Sequence, residues 1–257
     1  VLRSSDGTLV QSLSKADITA LEDFGWVPSK EVVVKAADGE TDLWVTINYP
    51  FDFDPTKKYP VVEYIYAGPQ TTWRTMDFGL HTGPLHAKFS RAVTQMGFIT
   101  LTLDARGTPG RSKAFHDTVY RNWGQFEIDD HAGAIKQLGE RFSYMDMDRV
   151  GIMGASWGGH FTFRALVQAP DVYKAGIAEV PGYDSRGLTL YEVYLGMPAD
   201  DKEIYDKADA LQLAPQLKGK LLMTGGLNDT GTQKDYYKMS EALLRAGIQH
   251  ATMPCLL

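Results

Sequence analysis

One feature of the sequence limits the fold before any other: from residue 60 onward, short β-branched runs alternate with stretches of helical periodicity. Residues 60–67 (PVVEYIYA) and 98–103 (FITLTL) are compact apolar runs, and 85–96 between them places its apolar residues at helical spacing. The alternation continues through a helical stretch at 126–142, a strand at 149–153, a helix at 157–168, strands at 175–180 and 220–224, a helix at 234–246 and a last strand at 249–255. Strands separated by helices of this length cannot fold back as hairpins. They cross over and pair in parallel, which predicts an α/β fold with a mostly parallel sheet and helices on both faces. Ahead of them, Val32, Val33 and Val34 and the alternating run 43–49 flank Asp38-Gly39 and read as an antiparallel pair. Ligands on such a sheet gather at the carboxyl ends of its strands.

At 257 residues the chain has room for one large α/β domain. The pattern changes near Gly25: residues 1–25 are rich in Ser, Thr and Asp and read as the end of a preceding domain or linker, and 26–257 as the domain proper. No window approaches the roughly eighteen apolar residues of a membrane span, and no signal pattern follows Val1. Lys and Arg total 26 against 32 Asp and Glu, with no basic tract to neutralise phosphates, so nucleic acid is not an expected partner. The single cysteine, Cys255, excludes an internal disulfide and a cysteine-built zinc site.

The chemistry-bearing signal is Gly154-Ala155-Ser156-Trp157-Gly158, followed by Gly159. G-x-S-x-G by itself is weak. Here it joins a strand to a helix, the context in which a serine is lifted onto a sharp turn at the sheet's carboxyl edge as a nucleophile. The glycines are needed because strand and helix converge there and side chains would collide. A serine hydroxyl attacks only if a histidine takes its proton and a carboxylate fixes that histidine's tautomer, in the chain order Ser, acid, His. The strand 220–224 leads into Gly225-Gly226-Leu227-Asn228-Asp229, which makes Asp229 the expected acid, unless it caps the helix near Thr232. The histidine does not follow. His160 is one helical turn past Ser156 and reads as packing, and His250 opens the last strand, at the wrong end. His81, His86, His116 and His131 precede the serine.

From about Val27 onward the chain resembles the catalytic domain of the prolyl oligopeptidase family of serine peptidases, in its dipeptidyl peptidase branch. The residues that carry this are Tyr59-Pro60-Val61-Val62 leading to Tyr66-Ala67-Gly68-Pro69, Asp104-Ala105-Arg106-Gly107-Thr108, Gly124-Gln125-Phe126-Glu127 with Asp130, the Ser156 turn, and Tyr194-Leu195-Gly196-Met197-Pro198. The resemblance implies an α/β-hydrolase fold, with residues 1–25 as the last fragment of a β-propeller. It implies an oxyanion hole made of the Tyr66 hydroxyl and the Trp157 backbone N–H.

Three departures from the family pattern shape the expectation. An ungapped match puts Asn228 at the acid position, and a one-residue loop adjustment restores Asp229. The family histidine would fall past Leu257, so the chain is expected to stop before its base. The valine, tryptophan and two tyrosines that line the family's proline pocket correspond to Val180, Tyr183, Arg186 and Leu190, so a proline preference is not implied. The expected activity is acyl-enzyme hydrolysis of a peptide. A small acyl ester is the alternative substrate, and a domain impaired for want of its histidine the other alternative. No metal or cofactor is implied, and a homodimer follows only by family analogy.

Overall fold

The structure is a computed structural model and describes residues 1–74, 86–187 and 189–255. Residues 1–25 hold a separate two-stranded antiparallel sheet, β1 (Leu2–Arg3) and β2 (Leu9–Gln11), and a short helix, α1 (Thr19–Asp23). Next come β3 (Lys30–Lys35), β4 (Asp42–Asn48), β5 (Tyr59–Tyr64), α2 (His86–Thr94), β6 (Ile99–Leu103), α3 (Lys113–Asp117), α4 (Glu127–Arg141) and β7 (Met145–Ala155). The chain continues through α5 (Trp157–Gln168), β8 (Ala175–Glu179), α6 (Glu192–Leu195), α7 (Lys202–Ala208), β9 (Lys220–Gly226), α8 (Gln233–Arg245) and β10 (Ala251–Cys255).

Eight strands form one sheet in the order β10-β9-β8-β7-β5-β6-β4-β3. β5 through β10 are all parallel, and β3 and β4 close one edge as the antiparallel pair. This is the α/β-hydrolase fold that the alternation and the resemblance pointed to. The β5–α2–β6 and β7–α5–β8 crossovers lie where the periodicity placed them. His81 and Leu85 lie outside the described residues, as do Leu256 and Leu257.

Helices lie on both faces, unequally among the described residues. One face of the sheet is buried: α5 packs on β7, β8 and β9, α4 on β3 and β7, and α8 on β9. Val61, Leu101, Ile152, Ala178, Leu221 and Met223 are sealed beneath that layer. On the other face α2 packs on β6 and β4, the one helix that covers this side among the described residues. Val62, Ile177 and Leu222 are accordingly half-buried. Periodicity shows that a strand has an apolar side, but not whether a helix elsewhere in the chain reaches it.

The buried layer contains a polar clamp. Glu63 of β5, His131 of α4 and Tyr173 between α5 and β8 are all fully buried. His131 Nδ1 and Glu63 Oε1 are 2.5 Å apart, and the Tyr173 hydroxyl donates to Glu63 Oε2 at 2.6 Å. Burial opposes a charge on His131. The Glu63 carboxylate nonetheless holds its pKa above the ordinary value, helped by Asp130 and Asp104. Breaking a buried pair by removing one partner leaves the other charge uncompensated, whereas removing both does not. His131→Leu should therefore cost about 3–5 kcal/mol in urea unfolding, and Glu63→Leu with His131→Leu clearly less. Because the folded-state pKa of His131 is raised, its stabilisation is full below the unfolded value and fades as pH rises through the folded one. Unfolding measured from neutral to alkaline pH should show that loss in the natural chain and not in the double variant.

Candidate active site

Ser156 sits where β7 hands over to α5, with φ 58° and ψ −115°, a left-handed conformation rare for a side-chain-bearing residue. The turn exists because two glycines allow a close approach. A Cβ on Gly154 or on Gly158 would run into the carbonyl oxygen of Ile65, at the end of β5. The Ser156 N–H donates to the carbonyl of Glu179 in β8 at 2.9 Å, which pins the turn to the neighbouring strand. Ser156 remains partly exposed while Trp157, Gly158, Gly159 and His160 behind it are buried.

Tyr66 approaches from the other side. Its phenol lies within reach of the Ser156 side chain, which acts to lower its pKa, and it accepts from Gln70 Nε2 at 2.9 Å. The ring stacks on Trp73, with centroids 4.4 Å apart and planes 15° apart. Trp73 is fixed in turn, because its N–H donates to the Asp104 carboxylate at 2.5 Å. Burial raises the Tyr66 pKa, and the hydrogen bonds with Ser156 and Gln70 offset only part of that. The phenol is therefore a neutral donor at physiological pH. Trp157 opens α5, so its backbone N–H is among those an α-helix leaves without an internal acceptor. One neutral phenol O–H and one helix-terminal N–H thus accompany the serine.

Asp229 lies in the loop after β9, and its carboxylate is engaged locally. Oδ1 accepts from the N–H groups of Gly231 (2.9 Å) and Thr232 (3.3 Å), and Oδ2 accepts from the Thr232 hydroxyl at 2.5 Å. These bonds, the Thr232 hydroxyl first, hold its pKa below the usual carboxylate range, so it is ionised. These bonds order the turn that leads into α8, whose own N-cap, Thr232, makes no side-chain cap bond. Asn228 beside it is exposed.

Four histidines are described through their side chains, and none faces Ser156. His160 Nδ1 donates to the Gly182 carbonyl (2.9 Å) while Nε2 accepts from Arg164 Nε (2.8 Å). Both nitrogens are committed, and burial with the Arg164 charge drives its pKa far down. His131 belongs to Glu63, His116 Nε2 bonds the Pro69 carbonyl (2.8 Å), and His250 Nε2 pairs with Ser240 (2.8 Å) at the amino end of β10. Arg164, itself buried, also donates to the carbonyls of Gly124 and Ala208. Burial pushes the neighbouring Glu127 up to about 7.

The four positions expected to line a substrate pocket scatter. Val180 follows β8 beside the serine turn, with φ 37° and its N–H bonded to the Thr224 carbonyl. Tyr183 is fully buried, edge-on to Phe163 at 5.5 Å. Arg186 turns away to Asp206 at 2.5 Å and lies over the Tyr205 ring. Leu190 is exposed. Next to the serine in sequence, the buried Trp157 ring is packed by Tyr191, also buried and stacked on it at 5.5 Å and 14°, and by the partly exposed Tyr194, edge-on at 5.7 Å. Their three-residue spacing, one helical turn, was the available signal that both share a side. Among the described residues no cluster of His, Cys, Asp and Glu is arranged to hold a metal ion. No helix among them is long and apolar enough to cross a membrane.

Residues 86–253 match the family model described as the prolyl oligopeptidase family. Human dipeptidyl peptidase 8 is 32% identical to the chain over 195 residues, covering 73% of the chain and 21% of that protein. Dipeptidyl peptidase 4 of Sus scrofa is 29% identical over 96% of the chain and 33% of its own length. The crystal structure of Porphyromonas gingivalis dipeptidyl peptidase 4 superposes with a TM-score of 0.79 at 28% identity, over 99% of the chain and 36% of that protein. The chain thus spans between a fifth and about a third of the relatives it matches. With the family model matched from α2 to β10 around the Ser156 turn, the chain belongs to the prolyl oligopeptidase family of serine peptidases.

Proposed function

We propose that this chain is a peptidase-type serine hydrolase domain working through an acyl-enzyme. Ser156 Oγ attacks the substrate carbonyl, and the Tyr66 hydroxyl and Trp157 N–H receive the oxyanion. Asp229 supplies the carboxylate that orients the base. The observation that carries the reading is the Ser156 turn itself, with a strained φ and a neutral phenol within reach of the nucleophile. Asp229 keeps its charge, and Oδ2, which accepts only from the Thr232 hydroxyl, retains a second lone-pair direction for an imidazole N–H.

Val180, next after the Glu179 that holds the serine N–H, and the partly exposed Tyr194, edge-on to Trp157, are the side chains left to meet an acyl group, since Tyr183 is buried and Arg186 is bound to Asp206. A second reading, hydrolysis of small acyl esters, is favoured by the histidines. His116, His131, His160 and His250 are all engaged elsewhere, and an alkoxide leaves with less proton assistance than an amine.

A fluorophosphonate probe should label the chain, and Ser156→Ala should abolish the label. Absence of labelling across pH 6–9 would exclude both hydrolase readings. Tyr66→Phe should slow labelling or ester turnover by roughly 10²-fold, the usual effect of removing one oxyanion donor, with little change in thermal midpoint. A dipeptide anilide and a short-chain nitrophenyl ester then separate the two: turnover of the anilide supports the peptidase, and turnover of the ester alone supports the esterase.

A further inference from the structure

The phenol oxygen of Tyr66 has a second partner, to which the acyl-enzyme scheme assigns no part. A hydroxyl carries one hydrogen and two lone pairs, so a donor bound to its oxygen leaves that hydrogen free for another acceptor. Gln70 Nε2 is such a donor, 2.9 Å from the phenol oxygen. Ring and amide close over Gly68, where an added Cβ would stand 2.5 Å from Tyr66 Cε1 and 2.7 Å from Gln70 Oε1. Gln70 is exposed, but the backbone around it is pinned. His116 Nε2 bonds the Pro69 carbonyl at 2.8 Å, the Thr71 N–H reaches the Gly68 carbonyl at 3.4 Å, and Asp104 holds the Trp73 N–H. Trp73 in turn stacks on the Tyr66 ring. The segment after Tyr66 thus folds back over the phenol, placing an indole on its face and an amide on its oxygen.

We propose that Gln70 is a positioning residue for the oxyanion hole: by donating to the Tyr66 oxygen, it turns the phenol hydrogen toward the carbonyl oxygen of the substrate. This rests on the reading of Tyr66 as an oxyanion donor. Ser156 is the other side chain within reach of the phenol, so a hydrogen turned away from Gln70 faces the nucleophile, where the carbonyl binds. One bond then has two effects. Orientation is set before the substrate arrives, which spares the reorganisation that a freely rotating hydroxyl would have to make. Donation to the oxygen also works against the burial that raises the Tyr66 pKa, which makes the hydroxyl a stronger donor as negative charge develops. The amide is specifically required. In Gln70→Glu the carboxylate, which has only acceptors, would take the phenol hydrogen for itself and turn it from the oxyanion. In Gln70→Leu the hydroxyl would be left to rotate.

The test compares Gln70→Leu and Gln70→Glu with the natural 257-residue chain and with Tyr66→Phe, by two readouts. The first is titration of the Tyr66 phenol, followed by NMR of tyrosine labelled at Cζ, with Tyr66→Phe identifying the resonance. Loss of the amide donor should raise that pKa in Gln70→Leu, and an anion beside the phenol should raise it further in Gln70→Glu. The second is the rate of fluorophosphonate labelling. Gln70→Leu should slow it roughly 3–10-fold, the usual weight of one hydrogen bond, and Gln70→Glu more, approaching Tyr66→Phe. Added to Tyr66→Phe, Gln70→Leu should change the rate by less than about twofold, because its effect passes through the phenol. A titration unmoved in Gln70→Leu, labelling of Gln70→Glu at the natural rate, or an equal loss with and without the phenol would overturn the proposal. Should the titration move while Tyr66→Phe labels no more slowly than the natural chain, the fault lies in the reading of Tyr66 as an oxyanion donor, and the proposal falls with it.

Discussion

The close approach of β7 and α5 to the carbonyl of Ile65 is the constraint on which the rest of the site depends. Only hydrogen fits at Gly154 and Gly158, and the intervening Ser156 is forced into left-handed backbone that the bond from its N–H to Glu179 then holds. The same contact fixes the end of β5, so Tyr66, next along the chain, is delivered to the serine by backbone geometry rather than by a flexible loop. Ser156 and Tyr66 thus sit at two ends of one packing contact.

Much of this was legible in the sequence because it rests on local rules. Periodicity located α5 to the residue and the parallel strands to within a few, since period-2 and period-3.6 patterns record which side of each element meets the core. The Ser156 turn was readable because glycine is required where backbones touch. Tertiary consequences were not readable in the same way. Sequence correspondence put Tyr183 and Arg186 at pocket positions, yet Tyr183 is drawn under α5 by Phe163, and Arg186 by the acidic residue Asp206 on α7. Tyr191 reaches Trp157 instead, because the short helical turn before α6 points it there.

The buried polar groups follow one logic. Glu63 is matched by His131 and Tyr173, and Arg164 by three carbonyls and an imidazole, so these two buried charges are met from several elements at once, while His131 Nε2 has no partner among the described residues. Glu63 lies three residues before Tyr66 on the same segment, which ties the position of the phenol to the helix layer behind the sheet.

The turn that Asp229 holds before α8 has a bearing on how any alteration there must be interpreted. One carboxylate both ties Gly231 and Thr232 and, in the proposed function, orients the base, so deleting it removes an anchor and an anion together, and a lost rate could belong to either. Asparagine would preserve the anchor while erasing the anion. At this position the amide, rather than alanine, is the informative replacement, and Asn228 shows that the chain already tolerates that side chain one residue away.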